Sequence, residues 1–412
     1  MGTNTLLTIQ MITNEALMIL LNNLTFTRNV SRKYDSYFGV SGAKIGQILN
    51  VRKPPRYVGR RGQGLQVEGI NEQSVPVVLS TQYGCDIEVS TADMLLSIDE
   101  FSDRILKPQI ATVANMIDND GLGLYSQIPD VVGTPGTPPG ASASDAAFIY
   151  MSAMVSMHNN GAPVDDMYSM YINPLMQAYA VTALKGLFQS ATKIKEQYEK
   201  GTMGIAFGFD FNMDQNVWSH QIGTYAGTPQ VSGGGQTGST LITKGWTAGD
   251  TLNVGDCFTI GTGATGVFKV NPQSRQSSGE LQHFVVTQPF TAVGGGALNE
   301  QVSIYPPITP AGQFQTVNQS PANSTGITIF GASGVVTPQG IGCHRDAFTF
   351  ASADLPLPNG VHAAYRVADD EAGVSMRIIQ AYDIQTDQMP LRVDVLGGWA
   401  VLRTELACRV AA

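Results

Sequence analysis

The chain has 412 residues, of which 43% are apolar and only 14% charged, with a net charge of −9. That length suits about two to three domains, and the charged share is far below the usual quarter. The acidic balance argues against a chain that binds nucleic acid through its overall charge, and so little charge implies that neighbours cover much of the surface, although fibre and adhesin modules share this composition.

Cys85, Cys257, Cys343 and Cys408 lie far apart and form no C-x-x-C. They read as reduced thiols of a cytoplasmic protein, with neither a disulfide framework nor a zinc site. The N-terminus lacks a basic region and a cleavage site, so no signal peptide is expected. Residues 1–40 contain Ile12–Leu24, apolar but interrupted by Asn14, Glu15, Asn22 and Asn23, and too short to span a bilayer. It reads as a helix that docks on protein. A basic and aromatic tether follows, with Arg28, Arg32, Lys33, Tyr34, Tyr37 and Phe38.

In residues 41–96, Val75, Val77, Leu79, Thr81, Tyr83, Cys85, Ile87 and Val89 alternate with mostly polar neighbours. The pattern predicts one half-buried strand of unusual length. Lys44–Val51 is its expected antiparallel partner, with Ile45, Leu49 and Val51 on one side. The Gly- and Pro-rich segment between them carries Arg52, Lys53, Arg56, Arg60 and Arg61. Long structureless loops are rare inside a compact domain, and an isolated hairpin is marginal in water. The arm is therefore expected to lean on something outside its own core. Its charge points to an acidic surface, such as another copy of an acidic chain. The alternatives are a solvated basic loop and, with only Tyr57 among the charges, a weak case for nucleic acid.

Residues 97–144 open with Ser97–Asp120, which reads as one long helix. Ser97 and Glu100 form a capping box, and Asp99, Glu100 and Asp103 complement the helix dipole. Ile98, Phe101 and Ile105 form one apolar row, and Leu106, Ile110, Val113 and Ile117 a second. Asn119 and Gly121 are the expected stop. Pro108 requires either a kink or a helix that begins near Lys107 with Pro108 in its first turn. The apolar face carries no chemistry-bearing side chain, so the helix is a strut. Ile128–Ser144 reads as a linker.

Residues 145–222 give an α/β pattern. Ser144–His158 and Asn173–Phe188 read as amphipathic helices, Tyr168–Ile172 as a strand, Ala191–Lys200 as a charged helix and Met203–Met213 as a strand. From Gly223 helical periodicity disappears. Short strands are expected at Thr251–Ile260, Val267–Val270, His283–Pro289, Val302–Tyr305 and Gly326–Ile329. Strands at Val374–Tyr382, Leu391–Leu396 and Trp399–Val410 then belong to a returning mixed region, residues 339–412. An all-β block, 223–338, between two such halves reads as an inserted domain with its ends close in space.

Gly261-Thr-Gly263-Ala-Thr-Gly266 matches a dinucleotide fingerprint, but a strand rather than a helix follows, so a glycine turn is the better reading. Gly233-x4-Gly238-Ser lacks the phosphate-binding Lys. His158, His220, His283, His344 and His362 show no metal-ligand spacing. No nucleophile elbow is present. Asp165-Asp166 and Asp369-Asp370-Glu371 lie beside Pro163 and Gly373 and read as turn carboxylates. The second group is also a candidate acidic acceptor for a neighbour's basic arm. No catalytic, cofactor or metal site is expected.

Several segments resemble the coat-protein family of the short-tailed Salmonella phages. They are Gly42-Ala-Lys-Ile-Gly, Glu72-Gln-Ser-Val, Ser97-Ile-Asp-Glu-Phe-Ser-Asp-Arg-Ile-Leu-Lys-Pro, Gly255-Asp-Cys-Phe-Thr-Ile, Val270-Asn-Pro, Leu281-Gln-His-Phe-Val-Val-Thr, Tyr382-Asp-Ile-Gln-Thr-Asp-Gln and Glu405-Leu-Ala-Cys-Arg-Val. Each is modest alone, but their order spans nearly the whole chain.

The resemblance implies an α+β, Hong Kong 97-type phage capsid fold with an inserted all-β domain. Residues 1–40 would be the N-arm, 41–96 the extended-loop hairpin and 97–144 the spine helix and linker of the peripheral domain. Residues 145–222 and 339–412 would build the axial and peripheral remainder around the insert. The implied function is a major capsid protein that self-assembles into hexamers and pentamers of an icosahedral virion shell. Implied partners are a scaffolding protein, a portal, a decoration protein and packaged double-stranded DNA held without sequence specificity. No scaffold-like charged helical segment ahead of residue 1 is expected. Neither cofactor nor membrane is implied, and assembly would occur in the host cytoplasm. The alternative from composition is a β-rich tail or fibre module that binds a host glycan.

Overall fold

The computed structural model describes residues 9–32, 48–60, 62–65, 67, 69–90, 102–140, 143–184, 203–294, 299–369, 373–383 and 388–412. The chain divides into two units. One comprises Met1–Arg52, Ser74–Gly121 and Phe348–Leu402, and the other Lys53–Gln73, Leu122–Ala347 and Arg403–Ala412. The Ser97–Glu100 capping box, the tether beyond Arg32, the first residues of the Lys44–Val51 strand and the Ala191–Lys200 helix lie outside the described residues.

The first unit is built on a five-stranded antiparallel sheet. Its longest strand, Gln388–Val401, pairs with Phe348–Ala353, with Val374–Gln380 and with Thr81–Ser90, while Ala363–Asp369 extends the sheet beyond Val374–Gln380. The sequence suggested two strands with a break at Gly397-Gly398. Those glycines are packing sites instead. A Cβ on Gly397 would stand 2.5 Å from the Phe350 ring, and one on Gly398 would stand 2.1 Å from the Val78 carbonyl oxygen.

That close approach also marks where the expected single strand over 75–89 divides. Ser74–Val78 pairs with Ile48–Arg52, from Ile48 opposite Val78 to Arg52 opposite Ser74. After Leu79 and Ser80 the chain changes partner, and Thr81–Ser90 pairs with Gln388–Gly397. The predicted partner strand is therefore present for the first half only. Leu49, Val77 and Leu79 bury against Ala351, Ala353, Leu355 and Leu396. The base of the hairpin therefore leans on a surface outside the hairpin itself, and that surface is the sheet of its own chain. The five Leu and Val side chains among these each contribute about 1.5–3 kcal/mol when fully buried.

The N-terminal helix, Ile9–Asn23, buries Ile12, Ala16, Leu17, Ile19 and Leu20, and it lies on Ala363–Asp369 and Val374–Gln380. The protein surface that it docks on is its own sheet. The start of the tether is pinned by Asp118, which is buried. Its carboxylate accepts from Thr25 N at 2.7 Å, Thr27 N at 3.0 Å and Thr27 Oγ1 at 2.6 Å. A carboxylate that receives several N–H donors satisfies groups that a short turn would otherwise leave unpaired.

The strut is an α-helix over Lys107–Leu122 preceded by a π turn over Ser102–Leu106. Proline lacks an N–H and crowds the carbonyl four residues earlier. The widened turn places that misfit without ending the helical path. The row Leu106, Ile110, Val113 and Ile117 is fully buried, as its spacing predicted. The helix runs past its expected stop, because Gly121 is another close approach. A Cβ there would meet Trp399 at 2.6 Å and Phe26 at 2.7 Å. Trp399 stacks on Phe26 and donates through Nε1 to the Ile117 carbonyl at 3.1 Å.

The second unit contains a seven-stranded mixed sheet. Its order is Val131–Gly133, Ala407–Ala411, Val336–His344, Tyr168–Ile172, Phe209–Met213 and Ile205–Ala206, with Ser219–Gln221 along the start of Val336–His344. The helix Ala143–Asn159 packs on Ala407–Ala411 through a face that includes Tyr150, Ala153 and Met157. A second helix covers Pro174–Leu184. Tyr168–Ile172 matches its prediction. Met203–Met213 does not form one strand. It folds into a hairpin whose two turn residues, Phe207 and Gly208, both have positive φ, as a tight two-residue hairpin turn requires.

Residues 223–338 contain a six-stranded antiparallel sheet, in the order Ile327–Ile329, Cys257–Ile260, Phe284–Val286, Glu300–Ile308, Gly238–Lys244 and Gln230–Val231. Its core includes Leu241, Trp246, Phe258, Phe284, Val302 and Ile304. The expected strand Thr251–Ile260 is broken by a turn. Asp256 accepts from Asn253 N at 2.7 Å, and Gly255 takes a φ of +97°. Residues 219–221 and 336–338, at the two ends of the block, pair with each other.

Candidate inter-subunit interface

The basic segment enters the second unit at Lys53, whose backbone N–H donates to the Gln73 carbonyl at 2.7 Å and closes the neck of the loop. Arg56 ion-pairs with Glu405 at 3.1 Å, and Arg403 Nε stands 3.3 Å from the same oxygen. Gln313 donates through Nε2 to the Arg56 carbonyl. Burial pushes the Glu405 carboxyl up, but Arg403 and Arg56 outweigh it and hold it below the usual carboxylate range. Burial lowers the Lys53 ammonium, and Glu405 only partly opposes this. A groove of about 860 Å³ lies beside these groups, lined by Lys53, Arg56, Tyr57, Tyr305, Phe314 and Glu405 among others.

Four of the five basic residues separate into two sets. Lys53 and Arg56 are half-buried and engaged with Glu405. Arg52 and Arg60 are exposed, and Arg60 donates to the nearby Gly62 carbonyl. Arg61 lies outside the described residues. Past Arg56 the described residues of the loop form neither helix nor regular strand before Ser74 and expose large apolar side chains. Leu65 is 81%, Val67 83% and Ile70 70% exposed, with Tyr57 and Val58 also outward. Of the acidic group, Asp369 is half-buried at the end of Ala363–Asp369, and Asp370 and Glu371 lie outside the described residues. Sequence reasoning missed Glu405, which lies 349 residues from Arg56; no spacing rule reaches that far.

His220 and His344 are buried and stand in polar contact with Asp256 and Asp165, whereas His362 is exposed. His220 Nε2 lies 2.8 Å from Asp256 Oδ1, and Tyr125 Oη lies 3.1 Å from His220 Nδ1. This chain resembles a charge relay but has no nucleophile at its end. Asp256 is occupied by Gly223 N and Asn253 N as well. Cys257 beside it is buried, donates to the Pro129 carbonyl and has its thiol pushed up to about 11 by burial. Such a thiol is inert. The Gly261–Gly266 glycine run is a short 3-10 turn closed by Val267 N on the Ile260 carbonyl. Among the described residues no cluster of His, Cys, Asp and Glu is arranged to hold a metal, and no helix is long and apolar enough to cross a membrane.

No protein-family model and no curated protein matches the chain. Among solved structures it is similar to one of Mycobacterium phage Che8, at 10% identity and a TM-score of 0.45, covering 94% of this chain and 90% of that one. It is also similar to the capsid of cyanophage P-SCSP1u, at 9% identity and a TM-score of 0.39 over 90% of this chain and 84% of that one. A third is the mature capsid of bacteriophage PhiM1, at 11% identity and a TM-score of 0.38 over 88% and 81%.

Proposed function

We propose that this chain is a structural, non-enzymatic, shell-forming protein: the major capsid protein of a tailed phage, within the coat-protein family of the short-tailed Salmonella phages. The observation that carries this reading is the 53–73 loop. Its neck is held by Glu405 and by the Lys53–Gln73 bond, while Leu65, Val67 and Ile70 face water. A fixed neck with an apolar tip suits an arm that buries its tip on a neighbouring copy. Each such arm raises the effective concentration of the next contact, so a shell closes on individually weak interfaces. The ordered family segments along the sequence support the same reading, with residues 223–338 as the inserted domain.

In this reading Arg52, Arg60 and Arg61 extend the arm's contact to the neighbour, and Asp369, Asp370 and Glu371 receive it. Lys53 and Arg56 act through the neck, which they hold. Scaffolding, portal and decoration proteins are the expected partners, and assembly takes place in the host cytoplasm. The net acidic charge suits a container for DNA, because a strongly basic wall would hold the genome against release.

Electron micrographs and sedimentation of the purified protein test this. Closed shells, or hexamers and pentamers, are expected; a uniform monomer at high protein concentration would overturn it. The acidic acceptor is tested separately by the triple variant Asp369→Asn, Asp370→Asn, Glu371→Gln. It should assemble poorly while folding normally, and normal assembly would remove those residues from the interface.

A further inference from the structure

The second unit buries an amine against a carboxylate in an arrangement that the proposed function does not use. Lys269 and Asp130 are each 1% exposed, and Lys269 Nζ lies 2.8 Å from Asp130 Oδ1. The two residues are 139 apart in sequence. Lys269 Nζ also donates to Ser156 Oγ at 2.9 Å, and Glu280 Oε2 stands 3.6 Å away. Asn160 Nδ2 donates to the other oxygen of Asp130, Oδ2, at 2.5 Å. Asn159 Nδ2 fixes Glu280 through Oε2 at 3.1 Å. His283 Nδ1 is 3.7 Å from Asp130 Oδ1 and is buried without a hydrogen-bond partner.

We infer that Lys269 and Asp130 condense spontaneously into an intramolecular isopeptide bond, with Glu280 as the proton carrier. The reactants are held in contact, which replaces a bimolecular encounter by an intramolecular one. As an ion pair the two hold each other charged: burial opposes both charges, but mutual attraction outweighs it, so Asp130 is lowered and Lys269 raised. Moving one proton from Nζ to Oδ1 removes both charges from an interior that solvates neither well. The neutral amine then attacks Asp130 Cγ. Asn160, already on Oδ2, stabilises the negative charge that develops on that oxygen.

Glu280 takes a second proton from Nζ and delivers it to the departing Oδ1 hydroxyl, which leaves as water. One C–N bond forms and one C–O bond breaks. An ammonium and a carboxylate become one amide and one water, with no oxidant, reductant or co-substrate. The amide keeps Asn160 on its oxygen. The link closes a covalent loop from residue 130 to residue 269, ties the segment entering the Ala143–Asn159 helix to the β block, and restricts the unfolded chain as any cross-link does.

The test is the intact mass of the full-length protein under denaturing conditions, compared with a Lys269→Arg variant prepared identically. After allowing for the substitution, the wild-type chain should be lighter by one water, and digestion should release a branched peptide joining the Asp130 and Lys269 fragments. A full-length mass with only linear peptides would overturn the inference, as would a link mapped to another pair. Glu280→Gln keeps the size of the side chain and should give a chain with native circular dichroism and no water loss. A Glu280→Gln chain that links as completely as the wild type would remove Glu280 from the proposed chemistry.

Discussion

Each unit buries an aspartate to about the same depth, and the two are compensated differently. Asp394 in the first unit receives Arg377 at 2.6 Å and Gln82 at 2.7 Å from the two neighbouring strands, and Arg392 at 2.9 Å from its own strand. Arg392 keeps half of its side chain in water. Asp130 in the second unit meets a lysine as buried as itself. An arginine whose stem reaches solvent can turn outward if its partner is lost. A fully enclosed ammonium has no such exit. The comparison teaches that equal burial of a carboxylate does not imply equal dependence on it.

Asp130→Ala should break the comparison most strongly. It strands Lys269 in the interior, and removing one partner of a buried pair costs about 3–5 kcal/mol. Urea unfolding should show a lower midpoint; Asp130→Leu combined with Lys269→Met should recover the part due to the stranded charge but not the part due to the cross-link.

The first unit should be more sensitive to backbone crowding than to its charges. Gly398→Ala forces a Cβ into the Val78 carbonyl and should cost about 2–3 kcal/mol, within the range for overpacking. Asp394→Asn should cost about 1.5 kcal/mol, the low end for hydrogen bonds to a charged group, because Arg392 can rehydrate. If Asp394→Asn proves the more damaging, the contrast between the units fails.

Acid sharpens it further. Burial raises Asp394, but its two arginines and Gln82 outweigh this and hold it below the usual carboxylate value. A depressed carboxylate adds stability above its unfolded value of about 4, and the contribution is lost as pH falls through the lower folded value. Thermal denaturation measured from pH 5 downward should show that loss in wild type and little of it in Asp394→Asn. Asp130, consumed in the inferred link, has no proton to take up and should add nothing to the acid slope, so Lys269→Arg should steepen it.

The smallest effect on stability belongs to the loop. Leu65→Ser, Val67→Ser and Ile70→Ser together should change stability by no more than about 0.5 kcal/mol each, since exposed side chains contribute little. The same triple variant should abolish shells in micrographs. Normal shells from it would remove the apolar tip from the interface.

Periodicity made several elements legible in the sequence. Tyr168–Ile172, the helix near Ser144–His158, the buried row from Leu106 to Ile117 and the antiparallel partner of the Ser74 strand could all be read there. Each is a local pattern whose side chains face one way. Glycine misled where it served packing: Gly397-Gly398 and Gly121 read as turn and stop signals, yet both lie where a Cβ would collide with a neighbour. The basic cluster was visible as a cluster, but its division was not. Lys53 and Arg56 answer to Glu405, and Asp130 answers to Lys269, across separations that no motif spans.

What the sequence determined alone is the low charge of the chain and the elements with a clear local period, such as Tyr168–Ile172 and the row from Leu106 to Ile117, because hydrophobic period and composition act over neighbouring residues. The tertiary structure decided where the Ser74–Ser90 segment changes partner, which basic residues are held and which are exposed, and that a buried amine meets a buried carboxylate. Those outcomes depend on burial and distance between remote segments, and both arise only when the chain has closed on itself.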